Sequence, residues 1–215
     1  MVATGERAFA QKNPLAVMQS PLTMDDYLAA RMISSPLGLF DCDVPIDGAC
    51  VVIVSAADAA TDCARDPLII EAMGAALGSQ ETWDQRTDLT TMGAHDACAD
   101  MWKRTEMQPS DVDVLALYDG FSIFVPYWLE AFGFCGHGEA KDFIAEGNIG
   151  PGGRFPVNTG GGQLSGGRLH GFGLLHEACT QLWGDGGERQ IANARTAVCG
   201  MGGGFIAGSM LLRRD

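Results

Sequence analysis

The segment Cys50-Val-Val-Ile-Val-Ser constrains this chain more than any other. A continuous apolar run rich in β-branched residues predicts a strand buried on both faces. Such a strand needs hydrogen-bonded neighbours, yet no earlier stretch reads as one. Pro14, Pro21, Pro36 and Pro45 interrupt the first part of the chain, leaving room only for short helices. One is signalled at Thr23, an N-cap residue with Asp25 and Asp26 in the turn that follows. The chain reads as if it starts in the middle of a fold, with an extended excursion leading into a strand whose partners lie elsewhere.

From Asp66 onward the order is more regular. Leu68–Met73 predicts a strand, Ala94–Met107 a helix, and Val112–Tyr118 a strand ending at Tyr118-Asp119-Gly120. Apolar residues at Phe121, Phe124, Val125, Trp128, Leu129 and Phe132 mark one buried helix face, with a kink expected at Pro126 and a C-cap at Gly133. A glycine-dense segment, Gly147–Gly167, runs into a helix expected over Arg168–Trp183 and closed by Gly184. Thr196–Cys199 and Phe205–Leu212 read as two strands joined by Gly200-Met-Gly-Gly-Gly, an antiparallel edge on the sheet. Strands alternating with helices predict a layered α/β architecture.

Composition removes several function classes. A net charge of −13 with scattered cations argues against a nucleic-acid partner. No apolar run reaches the roughly 20 residues needed to span a bilayer, and Met1–Gln11 has no secretory apolar core. Seven cysteines without a Cys-x-x-Cys pair do not form a disulfide framework, so a reducing, cytoplasmic setting is expected.

The strongest chemical signal is the loop from Asn158 to His170, Asn-Thr-Gly-Gly-Gly-Gln-Leu-Ser-Gly-Gly-Arg-Leu-His. Glycines allow close backbone approach and positive φ, and the helix beyond offers unpaired N–H donors to an oxyanion. A tight crossover of helix and sheet explains the same glycines equally well. The loop lacks the P-loop signature, and the later glycine cluster stands in the wrong place for a dinucleotide fingerprint. Tyr118 ends a strand where α/β proteins gather functional groups, and a phenol there can act as a general acid. A buried aromatic with a satisfied hydroxyl is the competing reading. His176-Glu177 lacks the second histidine of a zinc-protease motif. His137, close after Cys135, offers half of a metal site, but no matching half appears at a useful spacing. His95 has no partner in the sequence, and no metal is expected.

Taken together, these pieces resemble the thiolase superfamily, in its sterol-carrier or lipid-transfer branch. The resemblance rests on Pro21-Leu-Thr-Met-Asp-Asp-Tyr-Leu, Arg31-Met-Ile-Ser-Ser-Pro-Leu, Asp41-Cys-Asp-Val-Pro-Ile-Asp-Gly-Ala, Tyr118-Asp-Gly-Phe, Gly133-Phe-Cys-Gly-His-Gly-Glu and Asn158-Thr-Gly-Gly-Gly-Gln-Leu-Ser. It implies a thiolase-like layered αβα fold. Residues 1–65 would be the loop excursion and last strand of the N-terminal half, and residues 66–215 the C-terminal half.

The same resemblance implies where the family chemistry has changed. The family's nucleophilic cysteine belongs to the first half. Its histidine falls on Arg168, with His170 two residues on, and its second cysteine falls on Gly200 beside Cys199. The branch that fits better is the steroid side-chain-cleaving aldolases, which carry tyrosines at these positions. Tyr118 matches the first tyrosine, and Arg168 stands at the second. The implied function is retro-aldol or related C–C cleavage of a β-hydroxyacyl-CoA, with Tyr118, Arg168 and His170 catalytic. Asn158, Gly160, Gly161, Gly162, Gly202 and Gly203 would form the oxyanion and substrate loops. No cofactor is expected beyond the coenzyme A of the substrate. The expected partners are a chain supplying the N-terminal thiolase half, an OB-fold zinc-ribbon protein, or both. The alternatives are a non-catalytic half-thiolase or acyl-CoA-binding protein that completes a partner, and an acetyl-CoA acyltransferase whose nucleophile comes from another chain.

Overall fold

Side chains along a strand alternate between faces, so a sheet that is apolar at every position must be covered on both sides. Val114-Leu-Ala-Leu117 is buried at all of its positions. Leu115 and Leu117 enter one core, with Trp128, Leu129 and Met101, whereas Val114 and Ala116 enter a second, with Leu174, Ala178 and Leu182. The computed structural model, which describes residues 1–60, 63–78 and 82–215, accordingly places helices on both faces of one four-stranded sheet.

In chain order the elements are α1 (Val2–Ala10), α2 (Met24–Ala29), β1 (Met32–Ser34), β2 (Leu37–Gly38), β3 (Ile69–Leu77), α3 (Gly93–Trp102), β4 (Val114–Leu117), α4 (Phe124–Phe132), α5 (Ala140–Ala145), α6 (Phe172–Trp183), β5 (Thr196–Gly203) and β6 (Ile206–Arg213). β1 and β2 pair in a small separate ribbon. The main sheet runs β3-β6-β5-β4, with β4 parallel to β5 and the other pairs antiparallel.

Several local expectations hold for local reasons. Thr23 caps α2 and exchanges hydrogen bonds with Asp26 as a capping box. Gly133 and Gly184 close α4 and α6 in the left-handed conformation, both at φ 82°. Others are corrected. α3 stops at Trp102, short of Met107, and Thr105 Oγ1 instead donates to Glu71 and accepts from the Met107 N–H, a side-chain alternative to helical pairing. Pro126 lies in the first turn of α4, where its missing N–H had no helical partner to lose. α6 starts at Phe172 because His170 (φ 51°) and Gly171 (φ 94°) are left-handed, a backbone no right-handed helix accepts. The glycines after Cys199 do not form a loop: β5 continues to Gly203, and β6 is interior, between β5 and β3, rather than an edge.

The largest correction concerns the apolar run after Cys50. Residues 51–56 form no strand, and Val51, Ile53 and Val54 stand 86%, 88% and 72% exposed. The described residues supply no neighbouring strand for them, so the ladder that would bury them does not form. α1, which the sequence does not announce, is held by burial of Glu6 and Arg7 beside Phe9 and Ala10.

Candidate active site

β4 delivers Tyr118. Its N–H donates to the Gly200 carbonyl at 2.8 Å, so the residue extends the parallel pairing with β5. The ring stands edge-on to Phe124 and to His170, with centroids 5.8 and 5.9 Å away. A Cβ at Gly120 would come within 2.8 Å of that ring, so the glycine keeps space for it. Burial pushes the phenol pKa up, and Asp43 and Asp119 push the same way while Arg168 opposes. Tyr118 is therefore a protonated donor at neutral pH.

A strap formed by residues 41–46 ties this strand end to the glycine loop. The Asp43 N–H donates to Gly120 O and the Val44 N–H to Gln163 O, while Val44 O accepts from the Arg168 N–H. Asp41 anchors the strap, accepting from Tyr27 Oη at 2.6 Å, Ser122 Oγ at 2.5 Å and the Gly38 N–H at 2.8 Å. Asp43 then meets the Arg168 guanidinium, Nε to Oδ2 3.3 Å, and a terminal Arg168 nitrogen lies 3.2 Å from His170 Nδ1. Because a guanidinium only donates, His170 Nδ1 accepts, and the neutral ring carries its proton on Nε2. Tyr118, Arg168, His170 and Asp43 thus form one cluster. Burial raises the Asp43 pKa, and the Arg168 guanidinium pulls it back.

The loop itself is built on buried carboxyls. Asn158, at φ 52°, accepts from the Leu117 N–H and donates to Leu117 O and Glu6 Oε1, which saturates its side chain. Asp119 Oδ2 accepts from the Gln163 and Leu164 N–H groups at 2.7 and 3.1 Å. Gly162 (φ 60°) sits against this pair: a Cβ there would meet Asp119 Oδ2 and come within 2.5 Å of Glu6 Oε2. Gly161 backs onto Ala10, and Gly160 onto the Glu177 carboxyl. Gln163 Oε1 accepts from the Gly171 N–H, and the buried amide also engages Tyr118 and Asp119.

Glu6 and Asp119 are both buried and hydrogen-bond to one another. Burial drives the Glu6 pKa well above its usual 4.5, reinforced by the adjacent Asp119. Asp119, which already receives two N–H groups, takes the charge, and Glu6 keeps the proton. The folded state then binds a proton that the unfolded chain releases above pH 4.5. Stability from this group is complete below pH 4.5 and falls as pH rises, by about 1.4 kcal/mol per unit while only the fold retains the proton. Glu6→Gln should remove the Glu6 part of that dependence, raising the melting temperature at about pH 8 but not at about pH 4, and leave the part due to Asp119, whose pKa burial pushes up to about 6.

Among the other sequence-derived candidates, Gly202 and Gly203 lie within β5, paired with Ala207 and Ile206. Gly202 O accepts from Trp128 Nε1, and Gly203 faces the Phe124 ring. Cys199 is buried and its thiol pKa is raised by that burial, so it is a poor nucleophile. Asp43, Gln163 and Glu6 carry no individual signal in the sequence, although Asp43 and Gln163 lie inside the motifs that carry the resemblance. The loop also walls a cavity of about 370 Å³, completed by β4, α6 and residues 46–51. Cys50 and Val51 form part of its rim, next to the exposed apolar run.

A sheet with helices on both faces, carrying a glycine loop strapped beside a tyrosine at a parallel strand end, fits a thiolase-like α/β fold. The family model for thiolase C-terminal domain-like proteins matches residues 75–212, and the chain belongs to that family. It is 38% identical to the 17-hydroxy-3-oxo-4-pregnene-20-carboxyl-CoA lyase of Mycobacterium tuberculosis, over 92% of this chain and 54% of that protein. Identity to the steroid side-chain-cleaving aldolase of Thermomonospora curvata is 35%, over 100% of this chain and 56% of that one. Among solved structures, the Ltp2-ChsH2(DUF35) aldolase superposes with a TM-score of 0.88 at 30% identity, covering 100% of this chain and 57% of that chain. The chain spans about half the length of the curated relatives it matches.

Proposed function

We propose that this chain carries the acid–base and enolate-stabilising groups of a retro-aldol site that cleaves a β-hydroxyacyl-CoA in steroid side-chain degradation. The observation that carries the proposal is the convergence of Tyr118, Arg168, His170 and Asp43 at the end of β4. Similarity to two side-chain-cleaving enzymes supports the substrate class.

In such a reaction the β-hydroxyl loses a proton and the Cα–Cβ bond breaks. The electron pair moves onto the thioester as an enolate, and Cα is then protonated. The Arg168 guanidinium and His170 Nε2–H supply charge and a hydrogen bond for the enolate oxygen. The Gln163 side chain, which hydrogen-bonds Tyr118, helps to hold the phenol in place at the loop. Tyr118, protonated at rest, delivers the proton to Cα. Asp43, the carboxylate held against Arg168, takes the hydroxyl proton, and its raised pKa makes it a stronger base than a free carboxylate. The products are a ketone and a shortened acyl-CoA, and no thiol nucleophile is required.

The pH profile tests the base. Asp43 must be ionised, so activity is lost as pH falls through its raised pKa. Arg168 holds that pKa down, so Arg168→Gln should move the acid limb of kcat/KM to higher pH. A lower rate with an unmoved acid limb would remove Asp43 from the base role.

A partner is part of the proposal. The bare run Val51–Val54 beside the cavity rim is an apolar surface in need of cover. The structurally similar Ltp2-ChsH2(DUF35) aldolase joins two proteins in its name. We place this chain in a hetero-oligomer with a chain bearing the complementary strands of the N-terminal half, with an OB-fold zinc-ribbon subunit as the finer expectation, working in the cytoplasm. No described helix is long and apolar enough to cross a membrane. Native mass spectrometry of the gently purified protein should show a stoichiometric second chain, and a chain that is alone and monodisperse would contradict this.

A further inference from the structure

A second cluster of chemistry-bearing side chains lies outside everything assigned above. His95 stands in the first turn of α3, Glu130 near the end of α4, and His137 on the connection between α4 and α5. One ligand atom from each lies within 4.8 Å of the others. The sequence offers His137 without a matching half, because His95 reaches it only through the packing of α3 against α4.

The geometry is close to that of a coordination shell. His137 Nδ1 and Glu130 Oε2 are 3.4 Å apart. Two ligands at zinc bond lengths of about 2.0–2.1 Å sit roughly 3.3 Å apart on a tetrahedron. Glu130 is well covered, with its side chain 11% exposed, and Oε1 accepts from the Ala140 N–H at 3.2 Å. That contact fixes the carboxylate and leaves Oε2 facing the cluster. His137, 57% exposed, leaves an entry path from solvent.

His95 supplies the independent observation. Its Nε2 is buried and has no hydrogen-bond partner among the described residues. An orphaned buried polar atom is destabilising, and the neighbouring Glu–His ion pair does not relieve it. The other ring nitrogen, Nδ1, lies 3.1 Å from Met92 N and 3.3 Å from Met92 O. The Met92 N–H donates to Nδ1 here, so binding shifts the ring to the tautomer that donates Nδ1–H to the Met92 carbonyl, in which Nε2 presents a lone pair. That is the usual second contact of a metal-binding imidazole. Of the charges nearby, Glu130 belongs to the cluster and Asp88 lies within electrostatic range of His137, while Arg86, the opposing cation, is paired with Asp96 at 2.8 Å.

We infer that His95, Glu130 and His137 bind a divalent transition-metal cation of the zinc class, with a fourth position left to solvent. Two imidazoles and one carboxylate are the donor set that such ions select over calcium or magnesium. The ion would clip the start of α3 to the end of α4. It is independent of the Tyr118 chemistry and stands or falls separately from it.

The test is a titration of the metal-free full chain with Zn²⁺, followed by Co²⁺ as a spectroscopic probe. One equivalent should bind and raise the melting temperature. The Co²⁺ form should show the ligand-field bands of a low-coordinate nitrogen and oxygen site, with no thiolate charge-transfer band. His137→Ala, at an exposed position, and Glu130→Gln should both fold normally and lose binding. Seven free cysteines are the competing ligands. No binding, a thiolate band, or Zn²⁺ binding that survives His137→Ala would each overturn the assignment.

Discussion

Replacing Tyr118 with phenylalanine should lower turnover of a β-hydroxyacyl-CoA by about 10²–10⁴-fold while leaving the melting temperature unchanged. The substitution removes one oxygen. The ring, edge-on to Phe124 and His170, keeps its contacts, and the backbone pairing to Gly200 does not involve the side chain. The proton for Cα disappears, whereas Arg168 and His170 remain to bind the thioester, so the loss should fall on kcat rather than on KM. Turnover and thermal melts on the same preparations separate the outcomes. Undiminished kcat in a folded variant would take Tyr118 out of the chemistry.

Gly162→Ala should be the most damaging single methyl group in the loop, costing about 2–5 kcal/mol of stability. The residue sits at φ 60°, and the added carbon would press on two buried carboxyl groups that cannot retreat. Asp119 is pinned by two backbone N–H groups, and Glu6 by Asn158. Gly138 is the control: its φ is 79°, but a Cβ there meets nothing within 4 Å. Gly138→Ala therefore carries only the backbone penalty, about 1 kcal/mol. Urea unfolding of the two variants measures the difference. Equal losses would mean that conformation alone, and not the carboxyl pair, requires the glycine at 162.

These contrasts show which parts of the molecule its sequence can announce. Caps and strand ends are legible at Thr23, Gly133, Gly184 and Tyr118, because each is fixed by residues a few positions away. The family and its layered fold are legible from the set of motifs. What escapes depends on distant partners. Glu6 and Asp119 share a buried space although they lie far apart in the chain, and neither residue type marks that fate. Asp43 gains its role only when the strap crosses the loop at Arg168. His95 and His137 are brought together by α3 packing on α4. The apolar run at Val51–Val54 has the composition of a buried strand, but burial on two faces is a property of neighbours, and the described residues provide none. The start of α6 falls later than its sequence suggests because a histidine at positive φ has no sequence signature, whereas the glycine after it does.

Whether this site breaks a C–C bond is decided by the identity of its products. The protein, isolated with whatever chains accompany it, is incubated with 17-hydroxy-3-oxo-4-pregnene-20-carboxyl-CoA, without free coenzyme A, and the mixture is resolved by mass spectrometry. A retro-aldol site yields a 17-ketosteroid and a shortened acyl-CoA in equal amounts, and Tyr118→Phe suppresses both. Substrate recovered intact, or cleavage that appears only when free coenzyme A is added, would contradict the retro-aldol assignment and point to a binding or acyl-transfer role instead.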